Sequence, residues 1–288
     1  MGDNREITNF TALNSHRCVR MTRGGKIKTG ADGKANLVIK ITIIALLGLT
    51  IIGFLTFDYK DTNIFTAILD TFVNAGIMFG TPRLSHVSFS GAMEQLLVTF
   101  ALATLATIFG AVIAFFASLL CAKNIANPIV ANVVKSFVAF VRAVPTILWV
   151  FIIAMSSGLG SIAAVVGLTF HSAGYLTKAY AESIEEMNEG AIEALKTSGA
   201  SFWQIVLQAI MPSSIRYMVA WTFLRFEINF ANALAVGAAA GAGGIGFELW
   251  MAGNQYHDLR ELGFLTYIIV IAAVLLEVIA TKVKEKAG

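Results

Sequence analysis

The stretch Glu185–Pro212, EEMNEGAIEALKTSGASFWQIVLQAIMP, is the longest markedly polar interval between the hydrophobic runs of this chain. Gly199 interrupts what would otherwise be one helix, because glycine is about 1 kcal/mol less favourable than alanine in a helix interior. Ser201 and Gln204 have the spacing of a capping box, in which a hydroxyl and an amide each satisfy a backbone N–H at a helix start. Pro212 stands at the entrance to the next apolar run. The pattern predicts two short helices at an angle, forming a rigid surface for a docking partner, and we call residues 185–212 the polar loop.

The composition places the chain in a membrane. Of its 288 residues, 57% are hydrophobic and 14% are charged, and the mean hydropathy is +0.73. Soluble domains carry about 25% charged residues, so this chain has too few to cover a water-facing surface. The two cysteines, Cys18 and Cys121, have neither a disulfide framework nor a metal-ligand spacing. We therefore predict an all-α integral membrane protein without a metal site.

Apolar runs predict six transmembrane helices, since a span needs about 20 predominantly apolar residues. The spans lie within residues 37–57, 93–122, 127–157, 158–180, 213–236 and 262–281. In the third of these, Pro145 is expected to kink or restart the helix, and residues 128–141 are expected to lie partly at the membrane interface. The glycine-rich segment 237–260 is expected to form an outer loop or a re-entrant region.

The distribution of Lys and Arg predicts the orientation, because cytoplasmic flanks carry an excess of both. The outer flanks hold only Lys60, Arg83 and Arg260, so both termini and the polar loop are predicted to be cytoplasmic. The chain then divides into four segments. They are a basic cytoplasmic tail at 1–36, a first transmembrane helix with an external segment at 37–90, a core at 91–281 that contains the polar loop, and a second basic cytoplasmic tail at 282–288.

The polar loop resembles the EAA loop of ABC-importer permeases. Its Glu-Ala, glycine and proline stand at the family's spacing, and three other positions carry apolar replacements: Leu195, Ala209 and Met211. In that family the loop forms coupling helices that dock into a cleft on the ATPase subunit. The resemblance implies that the residues contacting the ATPase are Glu193, Ala194, Gly199, Ala200 and Pro212.

Further segments resemble the phosphonate-type ABC permeases, from Met93 to the C-terminus. They are Arg142-Ala143-Val144-Pro145, Gly158-Leu159-Gly160, His171, Gly174, Lys178, Glu182, Leu224–Asn229 and Gly241–Gly246. Ala231 departs from the pattern, because the family usually has a second arginine there. The resemblance implies a type I ABC importer permease, with a methionine-permease-like core of five helices plus an N-terminal helix. It assigns four glycines to a gate or outer loop: Gly241, Gly243, Gly244 and Gly246.

Arg225 lies near the middle of a predicted span, roughly 12 residues from its start at about 1.5 Å per residue. A charge at that depth costs about 2.5–3.5 kcal/mol on insertion scales, so it needs a partner or a water-filled path. Arg225, Asn229 and Asn232 share one helical face, whereas Glu227 points elsewhere. Two hypotheses follow. In the first, these four residues and His171 belong to a translocation path for an anion. In the second, Arg225 forms a structural ion pair across a dimer or with another helix, and His171 is a packing residue.

The sequence and the resemblance together predict the permease subunit of an ATP-driven importer for phosphonate or a related phosphorus oxyanion, such as phosphite or a phosphate ester. No Walker A pattern occurs in the chain. ATP and magnesium are therefore expected on a separate ATPase in two copies, and this chain is expected to be no enzyme and to bind no cofactor or nucleic acid. A second copy of the chain and an extracytoplasmic binding protein complete the predicted assembly, in the lipid bilayer of a bacterial cytoplasmic (inner) membrane.

Three alternatives stay open at this point. The chain can be an ABC permease for another small solute such as methionine, whose permeases share the EAA loop and the GAGG element. It can be a gradient-driven secondary transporter, although such proteins usually contain repeats with paired broken helices, and the polar loop has no second copy. A membrane enzyme or scaffold is the third, but the concentrated polar set at 225–232 lacks a histidine pair or a cysteine cluster.

Overall fold

The computed structural model describes residues 33–56 and 63–287, with side chains described within 36–56 and 63–282. Most of the predicted basic tail at 1–36, the outer Lys60 and the side chains of the tail after Lys282 lie outside the described residues. All the regular structure in the described ranges is helical. The chain divides into two units, Met1–Ile64 and Phe65–Gly288. In the first, α1 (Gly33–Thr56) is exposed along its described length, as expected of an apolar helix that faces lipid.

The other helices follow in chain order. They are α2 (Ile64–Gly80), α3 (Phe89–Cys121), α4 (Pro128–Ala143), α5 (Thr146–Ser157), α6 (Ser161–Glu185), α7 (Glu189–Thr197), α8 (Phe202–Ile205), α9 (Met211–Ala240), α10 (Ile245–Trp250) and α11 (Leu259–Ala287). Two π-helical turns, Val206–Ile210 and Met251–Gln255, follow α8 and α10.

Three of the described helices, α1, α3 and α11, are long and apolar enough to cross a membrane. The number rises to five if each of two bent helix pairs counts as one span. One pair is α4 with α5, bent by 90°, and the other joins the helix ending at Ala240 to α10, bent by 53°. The 25-residue α6 is not among these candidates. The six predicted spans are therefore reached only if α6 crosses as well.

The predicted break at Pro145 is confirmed, and it is sharper than a kink. Proline has no backbone N–H and disfavours a helical conformation in the residue before it, so α4 ends at Ala143 and α5 begins at Thr146. The Trp149 indole Nε1 donates to the carbonyl of Val141 at 3.0 Å, across the corner. With 12 residues, α5 is about 18 Å long, so it cannot cross the roughly 30 Å core alone.

Two short helices were expected in the polar loop, but the second of them is not short. From Phe202 the chain stays helical through α8, the π turn and α9 as far as Ala240. In the widened turn the Met211 N–H bonds to the carbonyl of Val206, five residues back. The proline ring of Pro212 would otherwise clash with a carbonyl four residues earlier, and a π turn is a common way to relieve such strain without ending a helix.

The expected outer loop at 237–260 is likewise mostly helical. Helix α9 continues to Ala240, and α10 with its π turn occupies Ile245–Gln255. Only a short corner remains between α9 and α10, and a second one before α11. The bend of 53° between the two helices fits the re-entrant form of the expectation rather than the loop form.

The core of the second unit lies where α3, α6 and α9 pack together. Its fully buried apolar residues include Leu102, Ala106, Leu168 and Phe230. The contact of α3 with α6 is close because Gly110 has no side chain: a Cβ there would lie 2.6 Å from the Cβ of Ser172. Small residues let membrane helices approach each other and bring polar groups within hydrogen-bonding distance.

A buried carboxylate ties the segment before α3 to the start of α11. The Glu261 side chain is fully buried, and its Oε1 accepts hydrogen bonds from the backbone N–H groups of Ser85, His86 and Val87 at 3.1, 2.8 and 3.0 Å. Its Oε2 lies 2.7 Å from Nδ1 of His86. The ligand atoms of His86, Asp258 and Glu261 lie within 4.8 Å of one another, but Glu261 is already saturated. We interpret the group as a structural clamp.

Asp258 strengthens the same corner as the cap of α11. Its Oδ1 accepts from the backbone N–H groups of Arg260 and Glu261 at 3.0 and 3.2 Å. Burial acts to raise the pKa of Asp258, but these hydrogen bonds outweigh burial and lower that pKa below its ordinary value. The carboxylate therefore stays ionised, as a helix cap requires.

We predict that Glu261→Ala destabilises the protein strongly. The substitution leaves three backbone N–H groups without their acceptor, and each such loss costs about 1–3 kcal/mol. The thermal unfolding midpoint of the purified protein in detergent should fall by at least about 5 °C. Glu94→Ala, at an exposed carboxylate in the first turns of α3, is the matched control and should leave the midpoint unchanged. An equal shift for the two variants would contradict the clamp.

Candidate functional site

The first half of the polar loop is a well-terminated helix. The Asn188 side chain accepts from Gly190 N at 2.9 Å and starts α7. At the other end Gly199 adopts φ 78°, a left-handed conformation that favours glycine. Its N–H bonds to the carbonyl of Lys196, and the next N–H, of Ala200, bonds to the carbonyl of Leu195, both at 3.0 Å. This is the Schellman pattern of a helix C-terminus, and it confirms the predicted break at Gly199.

The second half begins at the predicted capping box, which is also confirmed. Gln204 Oε1 accepts from the backbone N–H of Ser201 at 2.7 Å, and the Ser201 side chain accepts in return from the third residue of α8. Buried Ile192 of α7 packs in one apolar cluster with Ile205 and Val206. The loop is therefore a fixed unit, whose two halves share a small core.

The outward face of the polar loop carries the residues expected to contact an ATPase. Glu193, Ala194, Gly199 and Pro212 are exposed, and Ala200 is half-buried. The same unit exposes large apolar side chains that the sequence analysis did not single out: Phe202, Trp203 and Leu207. A signal for them was available, because the capping box places residues 202 and 203 in the first turn of an exposed helix.

A central polar cluster lies where α3, α6 and α9 meet, and Ser172 is its hub. The Ser172 Oγ accepts from Arg225 Nε at 3.1 Å and lies 2.8 Å from the Asn229 Nδ2 donor. Asn229 Nδ2 also lies 2.8 Å from Oγ1 of Thr107 on α3. Asn229 is fully buried and Arg225 is 2% exposed. The sequence predicts the arginine and the asparagine as site residues, but it does not indicate Ser172, which joins them.

Arg225 is held by neutral groups. Its guanidinium carbon lies 5.4 Å from the centre of the Tyr175 ring, a cation–π contact. Within the described residues no carboxylate forms an ion pair with it, and its buried Nη2 has no hydrogen-bond partner. The hypothesis of an ion pair with another helix therefore finds no partner among the residues that the structure describes. A buried guanidinium with an unused donor is a candidate anion-binding group.

The other predicted path residues are placed differently from one another. Asn229 is locked inside the cluster and lines no open path in this conformation. Asn232 and Glu227 are half-buried on α9. His171 is half-buried on α6, close enough to Arg225 for the charge of the guanidinium to act on its ring. The structure thus brings Arg225, Asn229 and His171 to one region.

The four predicted gate glycines form the tight corner between α9 and α10. Gly241, Gly243 and Gly244 have φ of 60°, 79° and 78°, which other residues rarely adopt. At Gly246 a Cβ would lie within clash distance of the carbonyl of Leu234 on α9. The corner is packed, not open, and its role as a gate stays a prediction.

Two side chains of α3 hold this corner, and the sequence analysis missed both. Gln95 Oε1 accepts from Gly244 N, and Thr99 Oγ1 accepts from Ile245 N, each at 3.0 Å. They satisfy the first N–H groups of α10, which have no partner within the helix. Nothing in the local sequence pairs 95 and 99 with residues about 150 positions later.

The model of the family described as "binding-protein-dependent transport system inner membrane component" matches residues 114–283, more than half of the chain. The match contains α6, the polar loop, α9 and α10.

Relatives with curated names point the same way. The chain is 33% identical over 195 residues to the phosphate-import permease protein PhnE of Mycolicibacterium smegmatis. The matched region covers 67% of this chain and 36% of that protein. It is 31% identical over 186 residues to the phosphite transport system permease protein PtxC of Stutzerimonas stutzeri, with 64% and 66% covered. It is 26% identical over 203 residues to the probable D-methionine transport system permease protein MetI of Pasteurella multocida, with 68% and 93% covered. The chain thus spans about a third of the first of these proteins and about two thirds of the second.

Among solved structures, the fold matches the inward-facing MetNI methionine ABC transporter, with a TM-score of 0.64 and 21% identity over 71% of this chain and all of that one. An ABC transporter involved in the import of alginate matches with a TM-score of 0.60 and 14% identity, over 88% and 98%. At these identities the likeness concerns the fold alone. The predicted ABC-permease fold agrees with it, and the family match removes the alternatives of a gradient-driven transporter and a membrane enzyme. The chain belongs to the family of inner membrane components of binding-protein-dependent transport systems.

Proposed function

We propose that this chain is the membrane-spanning subunit of an ATP-driven importer that takes up phosphonate or a related phosphorus oxyanion, such as phosphite or a phosphate ester. The observation that carries the substrate class is the buried Arg225, whose Nη2 has no hydrogen-bond partner. The names of the relatives support the same class, because those of two of them refer to phosphate and phosphite.

The chemistry of Arg225 suits an oxyanion. A guanidinium is always charged and presents its donors in a planar fork that matches two oxygens of a phosphate group. The Nε of Arg225 donates to Ser172, and the face of the guanidinium packs on the Tyr175 ring. Nη2 is therefore left to receive an anion. In a low-dielectric interior the attraction is much stronger than in water. The path then includes Arg225 and His171, with Asn229 as a residue that positions Ser172, and Asn232 and Glu227 at its margin.

The proposed assembly has three kinds of partner. Two copies of the chain form the pore, and an ATPase in two copies docks on the two polar loops through Glu193, Ala194, Gly199, Ala200 and Pro212. ATP and magnesium are bound by the ATPase, and an extracytoplasmic binding protein delivers the anion. Closure of the ATPase dimer moves the polar loops together, and the pore alternates between inward-facing and outward-facing states. The glycine corner at 241–246 is the outer gate in this scheme.

In this proposal the chain crosses the membrane six times. Helix α6 is one of the six spans, although its composition does not mark it as a candidate. In the same proposal both termini, the two basic tails and the polar loop lie in the cytoplasm of a bacterium, and the excess of Lys and Arg in these segments supports that orientation. Helix α6 has 25 residues, about 37 Å, which is long enough to cross. Its polar side chains are tolerated because the rest of the protein, not lipid, covers it.

The class of function is tested by uptake into proteoliposomes that hold this chain with its cognate ATPase and binding protein. The solutes are methylphosphonate, 2-aminoethylphosphonate, phosphite, phosphate and methionine, with and without internal ATP. We expect entry of a phosphorus oxyanion that requires both ATP and the binding protein. Entry of methionine alone would overturn the substrate class, and entry without ATP would overturn the importer.

We predict that Arg225→Gln lowers ATP-dependent uptake of the oxyanion at least about tenfold, equivalent to about 1.4 kcal/mol. The amide keeps a polar group beside Ser172 but removes the charge that attracts the anion. Arg225→Lys should retain part of the activity, because it keeps the charge and loses the planar fork.

Arg216→Gln is the matched control, since it removes an exposed arginine from the same helix. All variants are first checked for assembly with the ATPase by size-exclusion chromatography. Full uptake by an assembled Arg225→Gln transporter would contradict the role of Arg225 in the path.

We predict that Ala194→Trp uncouples the motor from the pore. Ala194 is exposed on α7, so the larger side chain leaves the permease folded but prevents close approach of the ATPase. Receptor-stimulated ATP hydrolysis should fall at least about tenfold, the equivalent of about 1.4 kcal/mol. Ala273→Trp, at an exposed position on α11, is the control and should hydrolyse ATP normally. Normal coupling in Ala194→Trp would rule out this face as the docking surface.

A further inference from the structure

The inner half of α6 is buried except along a single line of residues. Between 171 and 185 the side chains that are not buried are His171, Tyr175, Lys178, Glu182 and Glu185. Their spacing of alternately four and three residues places all five on one face of the helix. Each is ionisable, whereas most of the buried positions between them hold small residues. We call this line the α6 polar stripe.

The upper end of the stripe touches the central polar cluster. Tyr175 carries the guanidinium of Arg225 over its ring at 5.4 Å. The charges of both Arg225 and Arg142 act on the ring of His171. Arg142, on α4, packs against Gly174 of α6, where a Cβ would lie 3.1 Å from the Arg142 Cγ. Both arginines therefore lie near the upper stripe.

The lower end of the stripe opens into a cavity of about 270 Å³ between α3, α4 and α6. This is close to the lower end of the range for ligand pockets, about 300–1,000 Å³. Four basic side chains line it: Lys123, Lys135, Arg142 and Lys178. The two carboxylates in the wall are Glu182 and Glu185, so the lining has a net charge of +2.

Two of these cations are already paired and two are not. Lys135 Nζ lies 2.9 Å from Oε1 of Glu185, which also accepts from the backbone N–H of Lys123. Lys178 lies 3.4 Å from Glu182 in an exposed pair one helical turn apart, a kind of pair that is weak and easily exchanged. Within the described part of the chain, the side chains of Lys123 and Arg142 make no ion pair. The pocket therefore has charge available for an anion.

We propose that this pocket binds a phosphate group, and that a transported phosphorus oxyanion occupies it before release into the cytoplasm. The identity of the anion rests on the proposed function, whereas the binding site rests on the cavity and its charges. Arg142 supplies the planar fork that matches two phosphate oxygens, and Lys123 and Lys178 supply point charges. The stripe runs from Tyr175, which contacts Arg225, to the pocket, which Arg142 and Lys178 line.

A free oxyanion and the headgroup of an anionic lipid offer the same phosphate chemistry, and the experiment separates them. The full-length chain is placed in phosphatidylcholine nanodiscs, and equilibrium binding of radiolabelled inorganic phosphate is measured. We expect the Arg142→Gln/Lys178→Gln variant to bind phosphate at least about tenfold more weakly than the wild type. The control, Arg216→Gln/Lys282→Gln, also removes one arginine and one lysine, both exposed and outside the pocket. It should bind within about twofold of the wild type.

Two further arms identify the site and the source of the phosphate group. If Arg225→Gln abolishes phosphate binding and the pocket variant does not, the bound ion belongs to the central cluster and the proposal is overturned. The second arm measures retention of phosphatidylglycerol by native mass spectrometry. Retention that requires Arg142 and Lys178, without binding of free phosphate, would assign the pocket to a lipid headgroup and overturn the release site.

The binding assay needs neither ATP nor the receptor, so its outcome is independent of the uptake assay. ATP-dependent uptake of an oxyanion together with no phosphate binding in the pocket would overturn this inference and leave the proposed function intact. Charge-dependent phosphate binding without uptake would keep the phosphate-binding pocket and overturn both the proposed function and the role of the pocket in release.

Discussion

The burial of Arg225 is the constraint on which the centre of this protein depends. A guanidinium that is 2% exposed inside a membrane protein must be satisfied by the groups around it. Ser172 provides an acceptor for the guanidinium Nε, Asn229 bonds to the serine, and Thr107 accepts from Asn229. Because these four side chains belong to three helices, one hydrogen-bond network joins α3, α6 and α9 where they pack. Gly110 makes the contact possible by letting α3 approach Ser172.

Helix α6 illustrates how a polar helix can belong inside a membrane protein. Lipid tails offer no hydrogen bonds, so a lipid-facing helix must be apolar. The lower half of α6 is instead covered by protein, apart from the polar stripe. Its hydroxyl groups bond to carbonyls of its own helix, as Ser172, Thr177 and Ser183 do. Composition alone therefore does not identify α6 as a membrane span, whereas the burial of its polar side chains explains how it can be one.

Helix ends that depend on a few neighbouring residues were predicted correctly. Gly199 ended a helix, Ser201 with Gln204 began one, and Pro145 separated α4 from α5, because each acts on backbone groups within one turn. At Pro212 the prediction from neighbouring residues was wrong. Its local chemistry predicts an interruption, yet the π turn before it keeps the helix continuous. Whether a helix widens by one residue or stops depends on what both of its ends pack against, and that information is not local.

The sequence by itself determined that the chain is a membrane protein, that a helix ends at Gly199 and another begins after Ser201, and that a family motif is present. Composition and short spacings carry those properties. Only the tertiary structure decided that Ser172 is the hub, that Asn229 is locked away from any path, and that Gln95 and Thr99 hold the glycine corner. It also decided that Lys123, Lys135, Arg142 and Lys178 share one cavity. These facts join residues tens to more than a hundred positions apart, and only the packing of helices brings such residues together.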